Sequence, residues 1–136
     1  MGRIMQIYFN SLSKTDALFA ADKAEAYAGK DVSERMKLYI ERNYRMEITP
    51  GSVANTFYLS QSYAARTFKK AYGVTLTDYI SLVRVRHAEE LIREYFVPIR
   101  SVALNVGFSD ANYFSRVFLK YTGMTPSEAR DSAQSR

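Results

Sequence analysis

Residues 106–126 read VGFSDANYFSRVFLKYTGMTP, and residues 58–76 read YLSQSYAARTFKKAYGVTL. The second stretch is a blurred copy of the first. Val53-Ala54 matches Val102-Ala103 and Ser60 matches Ser109, all at a shift of 49. One extra residue then follows the cap in the later copy. At a shift of 50, Tyr63 meets Tyr113, Arg66 meets Arg116, Phe68 meets Phe118, Lys70 meets Lys120, Gly73 meets Gly123 and Thr75 meets Thr125. Agreement at caps, core, charges and closing glycines together is seldom accidental. Each copy reads as a helix, a tight turn and a second helix.

The punctuation supports this reading. Thr49 caps a short helix with Pro50 at its first position, where a missing N–H costs nothing. Val53, Ala54 and Phe57 form its inner face. Ser60 caps the next helix, with Ala64, Phe68 and Ala71 inside, and Gly73 closes it in the left-handed region. In the later copy Pro98 opens the short helix, with Val102, Ala103 and Val106 inside, and Gly107 turns the chain. Ser109 or Asp110 caps a helix carrying Phe114, Val117, Phe118 and Tyr121. Gly123 ends it, and Thr125-Pro126 starts a last helix. Tyr58 stands where the later copy has Gly107. A positive φ would strain a tyrosine, so the first turn is expected to have a different shape.

Between the copies runs the longest helical pattern, from Asp78 to about Tyr95, with Ile80, Val83, Ala88, Leu91, Ile92 and Tyr95 facing inward. Upstream, Asp31 or Ser33 caps a helix bearing Met36, Leu38, Tyr39, Ile40 and Tyr44. Residues 1–19 carry an apolar stripe at Ile4, Met5, Tyr8, Phe9 and Leu12, which predicts an N-terminal helix. Residues 22–30 read as a linker, and the polar tail from Asp131 is predicted to fray. The predicted fold is all-α.

Bulk composition narrows the function. The chain has 136 residues, enough for about one domain, with 47% apolar and 24% charged residues. Lys and Arg outnumber Asp and Glu by 19 to 14, a modest excess compatible with a polyanionic partner. The absence of Cys removes disulfides, thiolate zinc sites, Fe–S clusters and cysteine nucleophiles, and fits a cytoplasmic setting. No apolar run approaches the roughly 20 residues that span a bilayer. One histidine, His87, cannot build a catalytic triad or a HExxH metal site, so no catalysis and no cofactor are expected.

A duplicated helix-turn-helix points to double-stranded DNA. The first helix braces the second, which enters the major groove, where every base pair shows a distinct donor and acceptor pattern. Ser62, Ala65 and Arg66 in the first copy, and Ala111, Asn112, Ser115 and Arg116 in the second, are the candidate base contacts. Arg66 and Arg116 suit bidentate pairing with guanine; the rival role is a surface salt bridge to Asp or Glu. Asn112 suits adenine, or is a solvated first-turn residue. Ala65 offers only a methyl contact. Lys69, Lys70, Arg84, Arg100 and Lys120 are candidate phosphate contacts, which position the protein without specifying sequence. Tyr63, Phe68, Tyr113, Phe114 and Phe118 recur at helical spacing, which places them in the core rather than on a base-stacking platform. The joining helix of about 18 residues spans roughly 27 Å at 1.5 Å per residue. With its flanking turns it suits two readers one DNA turn, about 34 Å, apart.

On these residues the stretch from Asp31 to Arg130 resembles the DNA-binding domain of the AraC/XylS family of bacterial transcription regulators. VGFSDANYFSRVFLKYTGMTPSEAR carries the family signature closely, and LSQSYAARTFKKAYG with TLTDYI carries it loosely. The resemblance implies two homeodomain-like helix-turn-helix subdomains, at about 49–73 and 98–122, joined by a long helix at about 78–95. It also implies promoter binding, activation through RNA polymerase, and a preceding effector-binding and dimerisation domain. Residues 1–30 would be the remnant of that domain and could support a homodimer; a small-molecule effector would act only through it. His87 stands where the family often has Arg, and the resemblance favours Arg84 for a backbone or structural contact. The competing expectation is a protein-interaction module that contacts polymerase or another regulator without binding DNA itself.

Overall fold

A computed structural model describes residues 31–134. The predicted N-terminal helix and the linker lie outside the described residues. Among the described residues every regular element is a helix: α1 (Val32–Asn43), α2 (Pro50–Thr56), α3 (Gln61–Tyr72), α4 (Leu76–Glu94), α5 (Ile99–Asn105), α6 (Ala111–Thr122) and α7 (Pro126–Gln134). They fall into two compact units. Among the described residues, the first comprises those up to Asn43 with Ile48–Ile80, and the second comprises Tyr44–Glu47 with those from Ser81 onward.

In the first unit α1, α2 and α3 pack on one another. Asp31 caps α1, its Oδ1 accepting from the Glu34 N–H at 2.9 Å. At the start of α2 Thr49 and Ser52 cap each other's backbone N–H groups, a reciprocal box with Ser in the place usually held by Glu or Gln. Met36, Ile40, Val53, Ala54, Ala64 and Phe68 are fully or almost fully buried. The Phe68 ring meets Tyr72 at 4.9 Å and Tyr79 at 5.5 Å. Ala71, expected inside, is exposed. The inner row of α3 runs 64, 68, 72 at four-residue spacing, so Tyr72 occupies the place assigned to Ala71. An ion pair is also buried here. Lys37 Nζ lies 3.0 Å from Glu41 Oε2, and the Tyr79 hydroxyl donates to the same oxygen.

In the second unit α5 packs on α6, and α6 on α7. Val102, Ala103, Val106, Phe108, Phe114 and Phe118 are buried, and the rings of Phe108, Phe114 and Phe118 follow one another at 5.2 and 5.6 Å. Burying a phenylalanine side chain contributes about 1.5–3 kcal/mol, so this row is the unit's main apolar anchor. Thr125 and Glu128 cap α7 reciprocally, at 3.1 and 2.8 Å. Helix α4 begins at Leu76, two residues earlier than expected, because the Thr75 hydroxyl accepts from the Asp78 N–H at 3.0 Å. It ends at Glu94, which leaves Tyr95 beyond the helix and exposed rather than inward.

His87 on α4 has a packing role. Its ring stacks on Tyr44 at 4.0 Å, with 3° between the planes. Burial, then the positive charges of Arg45 and Arg86, lower its pKa from 6.5 to about 4. The unfolded chain therefore binds a proton between those values that the folded chain refuses. The contribution of neutral His87 is fully present above pH 6.5 and is lost as pH falls towards 4. Urea midpoints measured from pH 7 to pH 4 should decline less steeply for His87→Phe, which keeps the stack and removes the titration.

Candidate nucleic-acid interface

Each copy of the repeat places one helix behind a turn that closes the helix before it. In the first copy the Tyr58 N–H donates to Asn55 O at 3.1 Å and the Leu59 N–H to Ala54 O at 3.0 Å. In the second, Gly107 donates to Leu104 O at 3.2 Å and Phe108 to Ala103 O at 2.9 Å. This is the Schellman closure, and its left-handed position is filled by Tyr58 at φ 58° and by Gly107 at φ 106°. The turns share one hydrogen-bond pattern, so the expected difference in shape is corrected. The tyrosine adopts the left-handed conformation that the glycine adopts.

The alignment at the cap also needs correction. Ser60 caps α3, its hydroxyl accepting from the Tyr63 N–H at 3.1 Å. Asp110, not Ser109, caps α6, with Oδ1 accepting from Asn112 and Tyr113. The extra residue of the second copy thus lies in the turn before the cap. Both helices end at a left-handed glycine, Gly73 and Gly123.

The outer faces follow from the inner ones. On α3 Ala64 and Phe68 point inward, while Ser62, Ala65, Arg66 and Lys69, at i, i+3, i+4 and i+7, are all exposed along one stripe. On α6 Phe114, Val117 and Phe118 are buried. Asn112 and Arg116 are exposed, and Ser115 and Ala111 are half-buried. Among the described residues no carboxylate pairs with Arg66 or Arg116, so the alternative salt-bridge role is not taken up. The Arg116 guanidinium lies 5.8 Å from the centre of the Tyr113 ring. Lys69, Lys70, Arg100 and Lys120 are exposed, with Lys120 Nζ 5.2 Å from the Tyr121 ring.

Arg84 differs from the other cations. Its Nε donates to Tyr44 O at 2.8 Å and its Nη2 to Met46 O at 2.9 Å, and its guanidinium lies 5.6 Å from the Phe108 ring. Burial lowers its pKa. This side chain braces the Tyr44–Glu47 segment, a structural contact of the kind expected of it as the alternative to a phosphate contact.

Helical spacing places Tyr63 and Tyr113 in the core, yet they are 47% and 46% exposed. Each stands next to the inward residue that opens its helix's buried face, Ala64 or Phe114. On that border a tyrosine can rest its ring against the body while its hydroxyl stays in water. Periodicity alone does not resolve such a position, although the pairing of two tyrosines across the repeat is a usable signal. Leu119, the counterpart of Lys69, is also outward and 45% exposed.

A family model described as a helix-turn-helix domain matches residues 53–132. The chain belongs to the AraC-type helix-turn-helix family of transcription regulators. It is 34% identical over 119 residues, 88% of its length and 42% of the relative's, to YijO of Escherichia coli K12, an uncharacterized helix-turn-helix-type transcriptional regulator. It therefore spans less than half of that curated relative. Among solved structures, the C-terminal domain of the two-component response regulator yesN from Fusobacterium nucleatum is 30% identical, with TM-score 0.71 over 74% of this chain and 99% of that one. The DNA-binding domain of AdpA, solved in complex with a target DNA, shares the fold at TM-score 0.74 and 19% identity, over 79% of this chain and 96% of that one. Among the described residues no helix is long and apolar enough to cross a membrane.

Proposed function

We propose that this chain is a sequence-specific reader of double-stranded promoter DNA within a bacterial transcription regulator, with α3 and α6 each entering a major groove. One observation carries the reading. The second helix of each helix-turn-helix presents an outward stripe with an arginine at the equivalent position, and among the described residues no carboxylate neutralises either arginine. In this reading Arg66 and Arg116 pair with guanines, and Asn112 reads adenine. Ser62 and Ser115 contribute polar contacts, and Ala65 and Ala111 contribute apolar ones. Lys69, Lys70, Arg100 and Lys120 hold phosphates. The wider roles, contact with RNA polymerase and control by an effector through a further domain, belong to the same proposal. The chain binds and does not catalyse.

A duplex selected from a random library, titrated by fluorescence anisotropy at several salt concentrations, tests the reading. Affinity should fall steeply as salt rises, because phosphate contacts release counterions. A pure protein-docking module would show no duplex preference. Arg116→Ala should cost about 1–3 kcal/mol of discrimination at one or two base pairs. Lys70→Ala should weaken all sequences alike and reduce the salt slope by about one. Equal, sequence-blind losses from both substitutions would contradict the assignment.

A further inference from the structure

We propose that Tyr58 is a DNA-contact residue: from the turn ahead of α3 it donates its phenol hydroxyl to a backbone phosphate flanking the groove that α3 reads. The inference rests on the DNA-binding reading above and extends it to a residue outside both outer stripes.

Three features of the turn point there. The first is backbone strain. Tyr58 is the one non-glycine residue with positive φ among the described residues, at 58°. A bulky side chain in that region is a genuine outlier, because its Cβ crowds the following carbonyl. The second is exposure. The side chain is 97% exposed, so no packing within the fold offsets the strain or explains the choice of a large aromatic residue. The contrast with the second copy sharpens this. A Cβ on Gly107 would lie 2.6 Å from Tyr44 O and 2.9 Å from Arg84 Nε, so the second turn is covered and must be glycine. The first turn is free to carry a side chain, and it carries one that the fold does not use.

The third feature is position. Tyr58 lies three residues before Gln61, the first residue of α3. Three residues span at most about 11 Å of extended chain, so the phenol stays close to the helix start. In helix-turn-helix proteins the recognition helix enters the groove by its N-terminal end. Residues just ahead of that end face the sugar-phosphate wall, where tyrosine hydroxyls are among the usual donors. Retained strain at such a site is expected where a contact requires that conformation.

The test uses the purified chain with Tyr58→Phe, Tyr58→Gly and Arg66→Ala, each titrated against the selected duplex and a scrambled one. Tyr58→Gly should melt no lower than the parent, since it relieves the strain. It should nevertheless bind about tenfold more weakly, by the same factor on both duplexes, as expected for loss of one hydrogen bond to a charged phosphate. Tyr58→Phe, which removes only the hydroxyl, should show a similar loss. If Tyr58→Phe binds like the parent while Arg66→Ala is impaired, the proposal is overturned and the DNA-binding reading stands. If the parent shows no duplex affinity and Arg66→Ala changes nothing, the reading itself has failed and takes the proposal with it.

Discussion

Gly107→Ala should destabilise the protein by about 2–5 kcal/mol, measured as a shift in the urea midpoint by circular dichroism. Two costs add. A non-glycine residue at φ 106° bears strain of about 1–2 kcal/mol. The new methyl would also sit 2.6 Å from Tyr44 O, which is backbone, and 2.9 Å from Arg84 Nε. Arg84 cannot simply swing aside, because its donors are bound to Tyr44 O and Met46 O at 2.8 and 2.9 Å. Overpacking of this kind costs about 1–3 kcal/mol. Gly123→Ala is the matched control. Its φ is 81°, and nothing lies within 4 Å of the added Cβ, so it should show the strain of about 1–2 kcal/mol alone. Equal losses from the two substitutions would refute the crowding at Gly107.

Glu41→Ala should cost about 3–5 kcal/mol by the same measurement. The Glu41 side chain is 1% exposed and that of Lys37 is 9%, so the carboxylate meets the ammonium almost out of water. Removing it strips the buried ammonium of this partner and takes an acceptor from the Tyr79 hydroxyl. The double substitution Lys37→Met with Glu41→Leu should recover most of the loss, because apolar residues of similar size carry no charge to desolvate. A double variant as unstable as Glu41→Ala would show that the pair is not the source. Both side chains lie in the first unit, so the loss should track the melting of α1 and α3.

Much of this architecture is legible in the sequence because local signals agree with the repeat. Thr49 with Pro50, Ser60, Gly73, Gly107 and Gly123 each act through backbone chemistry confined to a few residues, and a single chain displays that. The outer stripes are legible for a related reason: once Phe68 and Phe118 point inward, helical geometry fixes what points out. The failures share a cause as well. Tyr63 and Tyr113 sit on the border between faces, where periodicity does not choose a side. The partners that Arg84 braces are likewise hidden in the sequence. These carbonyls lie about forty residues earlier, and no pattern in sequence announces such a pairing. The Lys37–Glu41 spacing is that of an ordinary i, i+4 surface bridge, and only the fold brings Tyr79 to the same carboxylate. The match between Tyr58 and Gly107 points to a positive φ in the first turn. The change of shape that the strain led one to expect does not occur; the turn instead tolerates the strain.

The tetrapeptide Tyr44–Glu47 has a consequence for how this protein can be made and cut. It belongs to the second unit although helices of the first flank it on both sides. During synthesis these four residues leave the ribosome some forty residues before Arg84, which will claim their carbonyls. Until then Tyr44 and Met46 wait in water. A truncated gene starting at Ser81 would encode every helix from the body of α4 onward, yet omit the backbone on which Arg84 settles. Such a half-length product should be proteolytically fragile, and adding the missing tetrapeptide as a separate peptide would not restore it at ordinary concentrations, because four residues cannot repay their own ordering entropy.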